Sequence, residues 1–411
     1  MSSVEPLLLI IFYFFAVISV WLGLLSLRGG LRFVRYLQKE LGSEYPDFTP
    51  FVSVFVPCRG IDEGLRENVG AIFAQDYPAF EVIFVSDSAD DPALGMIEES
   101  RRSFQRESGP TMGVVIAGTA KDTGQKVHNL QTAVAAADPA SEVFVFVDTD
   151  ARPNKLWLRS LVSPLRDEEL GATTGYRWFV PVRGGFASHL RSVWNAAIAS
   201  ALGADEKRNF CWGGSTAIRH ATFEELRVKE HWQGTVSDDF TLTRVLHAAS
   251  LPIKFIPQCL ILSFDDCSFR ELAEFTTRQL KITRVYAAHL WRSVLIGSVI
   301  FVMTVGGGIA LVLERIATHR SFGPLVALLV IIFLMGAMKS HLRLRAVSLI
   351  IAHPRMRSTI TTIAHVTLWP LASALYLYNS LAAALSRRVR WRGITYELKS
   401  PTETVIISPD N

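Results

Sequence analysis

The chain has 411 residues, 49% of them hydrophobic, and a formal net charge of +4, with a mean hydropathy of +0.27. That is too apolar for a soluble enzyme of this length and too polar for a protein wholly embedded in lipid, so a soluble domain joined to a few spanning helices fits best. The small net charge, with no block of like charge, gives no case for a nucleic-acid partner, and the four scattered cysteines, none in a CxxC pair, read as reduced thiols.

Residues 6–27 carry no charge and are long enough to cross about 30 Å of hydrocarbon. The run lacks a basic leader and an A-x-A site, so residues 1–28 read as an anchor and not as a signal peptide. Arg28, Arg32, Arg35 and Lys39 follow directly, and basic residues beside a span face the cytoplasm. An integral membrane protein is expected, with its following domain on the cytoplasmic side of a bacterial plasma membrane. Residues 50–286 form that domain. Short β-branched runs predict strands at Val52–Val56, Glu81–Ser86, Gly113–Ala117, Val143–Val147, Gly171–Tyr176 and Ile253–Pro257, with a helix over Leu65–Gln75. Several strands are apolar throughout, as expected of an α/β domain whose mostly parallel sheet is covered on both faces.

From residue 290 to 386 the chain is again membrane-like. Leu290–Leu313 and Pro324–Met338 are long enough to span, and Ile360–Leu385 is interrupted by Trp369-Pro370, which predicts a kink. The loop expected between them, holding Lys339, Arg343, Arg345, Arg355 and Arg357, and the basic tail 387–411 both satisfy the rule for cytoplasmic segments. Both can be cytoplasmic only if Ile360–Leu385 is re-entrant or a tight hairpin.

The sharpest chemical signal is the apolar run 143–147 ending in Asp148-Thr149-Asp150. If the strand persists, residues two apart point to the same side, and two carboxylates can face one ion. Mg²⁺ or Mn²⁺ would suit them, since hard cations take carboxylate oxygen and complete their shell with phosphate and water. Asp87, in the segment Ser86-Asp87-Ser88-Ala89-Asp90-Asp91, ends another strand at what should be the same ligand-binding edge. Lys126 follows a flexible basic loop at the start of a helix, where the positive helix end favours phosphate. Trp212-Gly213-Gly214-Ser215 sets two glycines beside an aromatic ring, which implies close approach of backbone to something bulky. Ser237-Asp238-Asp239 can supply a general base or cap the helix Phe240–His247, and the two roles are compatible.

In this order, Pro57-Cys58-Arg59-Gly60, SDSADD, DTD, WGGS, SDD and the segment Arg278-Gln279-Leu280-Lys281-Ile282 resemble the family 2 and ceramide glucosyltransferase-like (family 21) membrane glycosyltransferases of the GT-A fold. The resemblance covers residues 50–286, with membrane segments on both sides. It implies a nucleoside-diphosphate sugar donor, a UDP-sugar by preference, a divalent metal, and inversion at the anomeric carbon. Carried over, Pro57, Arg59 and Asp87 hold base and ribose, while Lys126, Asp148, Arg278 and Lys281 face the diphosphate. Asp148 and Asp150 hold the metal, Trp212, Gly213, Gly214 and Ser215 border the sugar and acceptor, and Arg219 completes that motif. Asp239 is the general base and Asp238 its helper.

The family's (Q/R)-x-x-R-W segment is altered here, with Lys281 in place of Arg and Ile282 in place of Trp. Lysine lacks the bidentate fork, and isoleucine lacks a flat surface on which a sugar chain could stack. A membrane lipid is therefore the expected acceptor. A processive polysaccharide synthase and a non-catalytic scaffold of the same fold are the alternatives. Finally, Trp391-Arg392-Gly393 to Tyr396 matches the ending of several such enzymes, and docking of the tail on the catalytic domain would account for it.

Overall fold

In the computed structural model, residues 4–43, 45, 47–104, 109–351 and 353–409 are described. Residues 1–3 of the expected anchor and 410–411 of the expected tail lie outside them. The chain forms two compact units that interleave in sequence: residues 39–182, 201–266 and 387–411 make one, and residues 1–38, 183–200 and 267–386 the other.

The first unit is built on a seven-stranded sheet of order β3-β2-β1-β4-β6-β5-β7. Its strands are β1 (Val52–Pro57), β2 (Phe80–Ser86), β3 (Thr111–Ile116), β4 (Val143–Phe146), β5 (Ala172–Val180), β6 (Thr216–Arg219) and β7 (Ile253–Phe264). Strands β1 to β4 pair in parallel, β5 pairs in parallel with β7, and β6 runs antiparallel between β4 and β5. All six predicted strands are present. The short β6 went unforeseen because its four residues carry no alternation and follow directly on the glycine turn. The predicted helix Leu65–Gln75 is found as Leu65–Phe73. One sheet face packs on the helices Gln125–Val134 and Asp238–Ala248 through Phe55, Phe144, Phe146, Leu130, Leu242 and Leu246. The ring of Phe55 meets Phe144 edge-on at 5.2 Å and stacks on Phe146 at 5.5 Å. Such pairs add about 0.5–1.5 kcal/mol each to the area they bury, which fixes β1 against β4 and so places the carboxyl ends of both strands side by side.

The tail supplies a three-stranded antiparallel sheet, β8 (Arg388–Trp391), β9 (Ile394–Ser400) and β10 (Glu403–Pro409). Arg392 and Gly393 form the two-residue turn between β8 and β9, both at positive φ (50° and 80°). That is the turn whose twist matches a hairpin, but arginine is an uncommon choice for the strained first position. The tail sheet docks within the same unit as the main sheet. Tyr396, 2% exposed, accepts a hydrogen bond from the Gln125 amide at 3.2 Å. A Cβ on Gly234 would stand 2.2 Å from the carbonyl oxygen of Thr402, so that contact requires glycine.

The second unit is helical. Among the described residues, three helices are long and apolar enough to cross a membrane: Glu5–Leu41, Ala288–Ala317 and Gly323–Ile350. The first continues through Arg28, Arg32 and Arg35 without a break. Its Phe12 and Ala16 pack on Leu311 and Leu325, and Gly308 admits the Phe12 ring, which a Cβ there would meet at 2.6 Å. Lys339, Arg343 and Arg345, expected in a loop, ride the last turns of the third helix, because the apolar spacing resumes at Leu342 and Leu344. Thr359–Thr367 and Trp369–Leu385 meet at a bend of 54°, the geometry of a broken span or a re-entrant segment. Pro370 sits in the first turn of the second piece, where its missing N–H costs nothing. The amphipathic helix Phe269–Tyr286 opens with a capping box between Ser268 and Glu271 and buries Leu272, Thr276, Leu280 and Ile282.

Candidate active site

At the end of β1 the loop Pro57–Gly60 is fastened from below. The Cys58 amide donates to the Val85 carbonyl at 2.9 Å, and the Gly60 amide donates to Asp91 at 3.0 Å. Asp91 is buried and also accepts from the Ser86 hydroxyl at 2.6 Å and the Ala93 amide at 2.9 Å. This carboxylate, unassigned by sequence, holds the loop in shape. Above it Arg59 pairs with Asp87 at 2.9 Å, both partly open to solvent. Burial, with Asp91 and Asp87 adding to it, pushes the Cys58 thiol up to about 12, so Cys58 is no thiolate nucleophile.

β4 stops at Phe146, and Asp148-Thr149-Asp150 forms a turn in which the Ala151 amide donates to the Asp148 carbonyl at 3.1 Å. The strand does not persist, so the two-apart rule is not what brings the carboxylates together. Arg177 on β5 does. Its guanidinium lies 3.4 Å from Asp148 and 3.1 Å from Asp150, and 4.9 Å over the ring of Trp212. A lone charged residue inside the otherwise uncharged strand Ala172–Val180 was the signal that could have found it. The turn is braced by Thr149, whose hydroxyl donates to Asp62 at 2.8 Å, and by Asn68, which donates to the Thr149 carbonyl at 3.0 Å. Asp62 in turn pairs at 2.5 Å with Arg392, from the tip of the tail hairpin. Neither Asp62 nor Arg392 was singled out as a site residue by sequence.

Lys126, in the first turn of its helix, joins two motifs. Its ammonium is 2.8 Å from Asp148 and 3.2 Å from Asp238. Burial opposes the lysine's charge, but Asp148, Asp238 and Asp239 outweigh it and raise its pKa. Burial likewise works against Asp148, and Lys126 and Arg177 overcome it, holding that carboxyl below its ordinary range. For Asp238 burial wins. Despite Lys126, desolvation and the like charges of Asp239 and Asp148 push it up to about 6.

Gly213 makes this approach possible. A Cβ there would stand 2.3 Å from an Asp238 oxygen and 2.8 Å from the Lys126 ammonium. The Gly213 amide also donates to Asp239 at 3.3 Å. Gly214 yields its space to the Trp212 ring, which a Cβ would meet at 2.2 Å. Asp239 is half-buried in the first turn of Asp238–Ala248. One oxygen accepts from the Ser237 hydroxyl at 2.5 Å and from the Phe240 amide at 2.7 Å. Ser237 is the helix cap. Ser215 turns inward: it is fully buried, and its hydroxyl accepts from the Trp157 indole at 2.8 Å, so it shapes the loop and has no open surface to offer a sugar. Arg219 is likewise displaced from the site. It pairs opposite Val143, at the other end of β4, where it ties down the carbonyls of Leu165, Asp167, Glu168 and Leu170. Arg278, Lys281 and Ile282 lie on Phe269–Tyr286 in the helical unit, with Ile282 buried there.

The carboxyl edge of the sheet and the first turn of Asp238–Ala248 thus gather Asp148, Asp150, Asp238 and Asp239 around two cations. Among the described residues no group of three or more His, Cys, Asp or Glu side chains forms a metal cage. Two carboxylates converging on one positive group are nevertheless the donor set of a hard divalent cation that takes its other ligands from phosphate and water. A sequence model described as glycosyl transferase family 21 matches residues 11–404. The chain belongs to glycosyl transferase family 21. Its first unit has the GT-A fold, and the enzyme is a glycosyltransferase.

Among solved structures, this family 21 chain is similar to a mannosyltransferase from Pyrobaculum calidifontis in complex with GDP-Man and Mn²⁺, at 18% identity and a TM-score of 0.50, over 89% of this chain and 99% of that one. It is also matched to a glucosyl-3-phosphoglycerate synthase from Mycobacterium tuberculosis in complex with Mn²⁺ and UDP-Glc, at 15% identity and a TM-score of 0.37, over 61% of this chain and 82% of that one.

Proposed function

We propose that this family 21 enzyme transfers a sugar, with inversion, from a nucleoside-diphosphate sugar (a UDP-sugar by preference) to a lipid at the cytoplasmic face of a membrane. The carrying observation is the Lys126 ammonium lodged between Asp148 and Asp238, which ties the donor end of the sheet to the carboxylate pair of the next motif. Pro57, Arg59 and Asp87 line the base and ribose. Asp148 and Asp150 would hold Mg²⁺ or Mn²⁺, which when bound offsets charge on the leaving diphosphate. Lys126 and Arg177 present positive charge beside the same position. Preorganised charge of this kind stabilises the transition state without reorganising.

Trp212, Gly213 and Gly214 border the sugar. Asp239 takes the proton of the attacking acceptor hydroxyl. It is the more open carboxylate of the pair, one of its oxygens is oriented by the Gly213 amide, and Asp238 is committed to Lys126. Three membrane-length helices and the amphipathic helix Phe269–Tyr286 favour an acceptor reached from the bilayer, and the basic residues after the first span favour the cytoplasmic side. We also propose the anchor over residues 1–28, the catalytic region over 50–286, the membrane region over 290–386 and the tail over 387–411 as functional divisions.

The test is to incubate membranes carrying the enzyme with labelled nucleotide sugars and lipid extract, with and without Mn²⁺. Label should pass to organic-extractable lipid, and Asp239→Asn should abolish it. Undiminished transfer by Asp239→Asn would refute the assignment of the base. Long polymer as product would point to a polysaccharide synthase.

A further inference from the structure

Arg343 lies in the helix Gly323–Ile350 and is 5% exposed. Among the described residues it has no hydrogen-bond or ion-pair partner. Lys339, one turn before it, lies within electrostatic reach and repeats its sign. His365 on Thr359–Thr367 also lies within reach and has no negative charge to offer it. The one group acting on Arg343 in the opposite sense is the Tyr376 phenol, which is neutral near pH 7. Arg191 of the same unit shows the contrast, since it is equally buried and lies within electrostatic reach of Glu271.

A guanidinium shut away from water without a counter-ion is costly, and a charged group inside a membrane bundle implies a partner. The described residues provide none, so the chemistry asks for an anion from outside them. Five N–H donors in a planar fork match the oxygens of phosphate, and basic pockets between spanning helices suit anionic headgroups. Trp369, one turn beyond His365, also walls an apolar groove of about 250 Å³ with Phe301, Val305, Leu329 and Phe333. A free anion would have no use for such a groove, whereas an acyl chain would.

We infer that the helical unit binds an anionic phospholipid, its phosphate at Arg343 and an acyl chain along the groove beside Trp369. The site owes nothing to the transfer reaction, so it stands or falls independently of it. The experiment uses the full chain in detergent, read by native mass spectrometry and thermal unfolding with phosphatidylglycerol, phosphatidylcholine or inorganic phosphate. The wild type should retain phosphatidylglycerol in preference to phosphatidylcholine and unfold at higher temperature with it. Arg343→Met should weaken that retention by at least about tenfold. It should also raise the unfolding temperature in lipid-free detergent, because an apolar side chain of similar length replaces an unpaired charge. An arginine with a merely structural role would give a less stable variant in every condition, and that result overturns the site. Unchanged phosphatidylglycerol retention by Arg343→Met overturns it too. An equal stabilisation by inorganic phosphate alone overturns the lipid as its ligand.

Discussion

The ammonium of Lys126 lies 2.8 Å from a carboxylate oxygen of Asp148. Through this contact the first turn of a helix reaches the end of β4, and the same ammonium continues to Asp238. Lys126→Met would leave the buried Asp238 and the half-buried Asp148 without their counter-charge. We expect donor turnover, measured as kcat/KM at saturating metal, to fall by about 10²–10³-fold. A loss under about threefold would remove Lys126 from the site.

Gly213 offers a sharper steric test. Its backbone conformation is ordinary, so only space forbids a side chain. That space is filled by the short, held carboxylate of Asp238, 2.3 Å from a Cβ. Gly213→Ala should cost about 10²-fold in kcat, the penalty expected for displacing a positioned group by an ångström. Gly203→Ala, where a Cβ meets nothing within 4 Å, should leave the rate unchanged and serves as control. Equal rates for the two variants would show that the approach of Asp238 and Lys126 is dispensable.

The strands and the spans were legible because each depends on short-range apolar pattern: Val143–Phe146 is apolar throughout, and Ala288–Ala317 is long enough. The DTD segment was legible as a carboxylate pair but not in its geometry. Its carboxylates converge because Arg177, 27 residues beyond Asp150 in sequence, is brought over from β5, and that pairing depends on tertiary register. Asp62 and Arg392 meet across 330 positions and carry no local signal of each other. Ser215 was expected at the site because it follows the glycine pair of the WGGS segment. Only the Trp157 indole shows that its hydroxyl faces inward.

The tail can be tested at one atom. Tyr396 accepts the Gln125 amide at the start of the Lys126 helix. Tyr396→Phe leaves that buried N–H without a partner, a loss of about 1–3 kcal/mol. The unfolding temperature should drop by a few degrees and the donor KM should rise several-fold, since Lys126 is the next residue. A variant with unaltered donor KM would make the tail a stability element alone.

The pH dependence follows from Asp238, whose pKa is pushed up to about 6, first by burial and then by Asp239 and Asp148. A raised carboxyl is ionised above that value and neutral below it, so Asp238 ceases to balance Lys126 as pH falls through about 6. kcat/KM should therefore decline on the acid side with an apparent pKa near 6. In Asp238→Asn the remaining activity should lose this step. An acid limb unmoved by the substitution would assign the titration elsewhere.

Arg177 gives the prediction with the least ordinary sign. Its guanidinium stands between Asp148 and Asp150, where their oxygens would hold a divalent cation, so in the donor-free enzyme arginine and metal compete. Arg177→Gln should bind Mn²⁺ more tightly than the wild type in the absence of nucleotide. Two like-charged carboxylates would have lost their resident cation, and an interaction of this strength is worth about tenfold or more in affinity. With donor present the order should invert. The variant lacks a positive group beside the diphosphate, and its turnover should fall by about 10²-fold. Electron paramagnetic resonance of free Mn²⁺ measures the first effect and steady-state rates the second. Weaker Mn²⁺ binding by donor-free Arg177→Gln would mean that the guanidinium supports the metal site and does not compete for it.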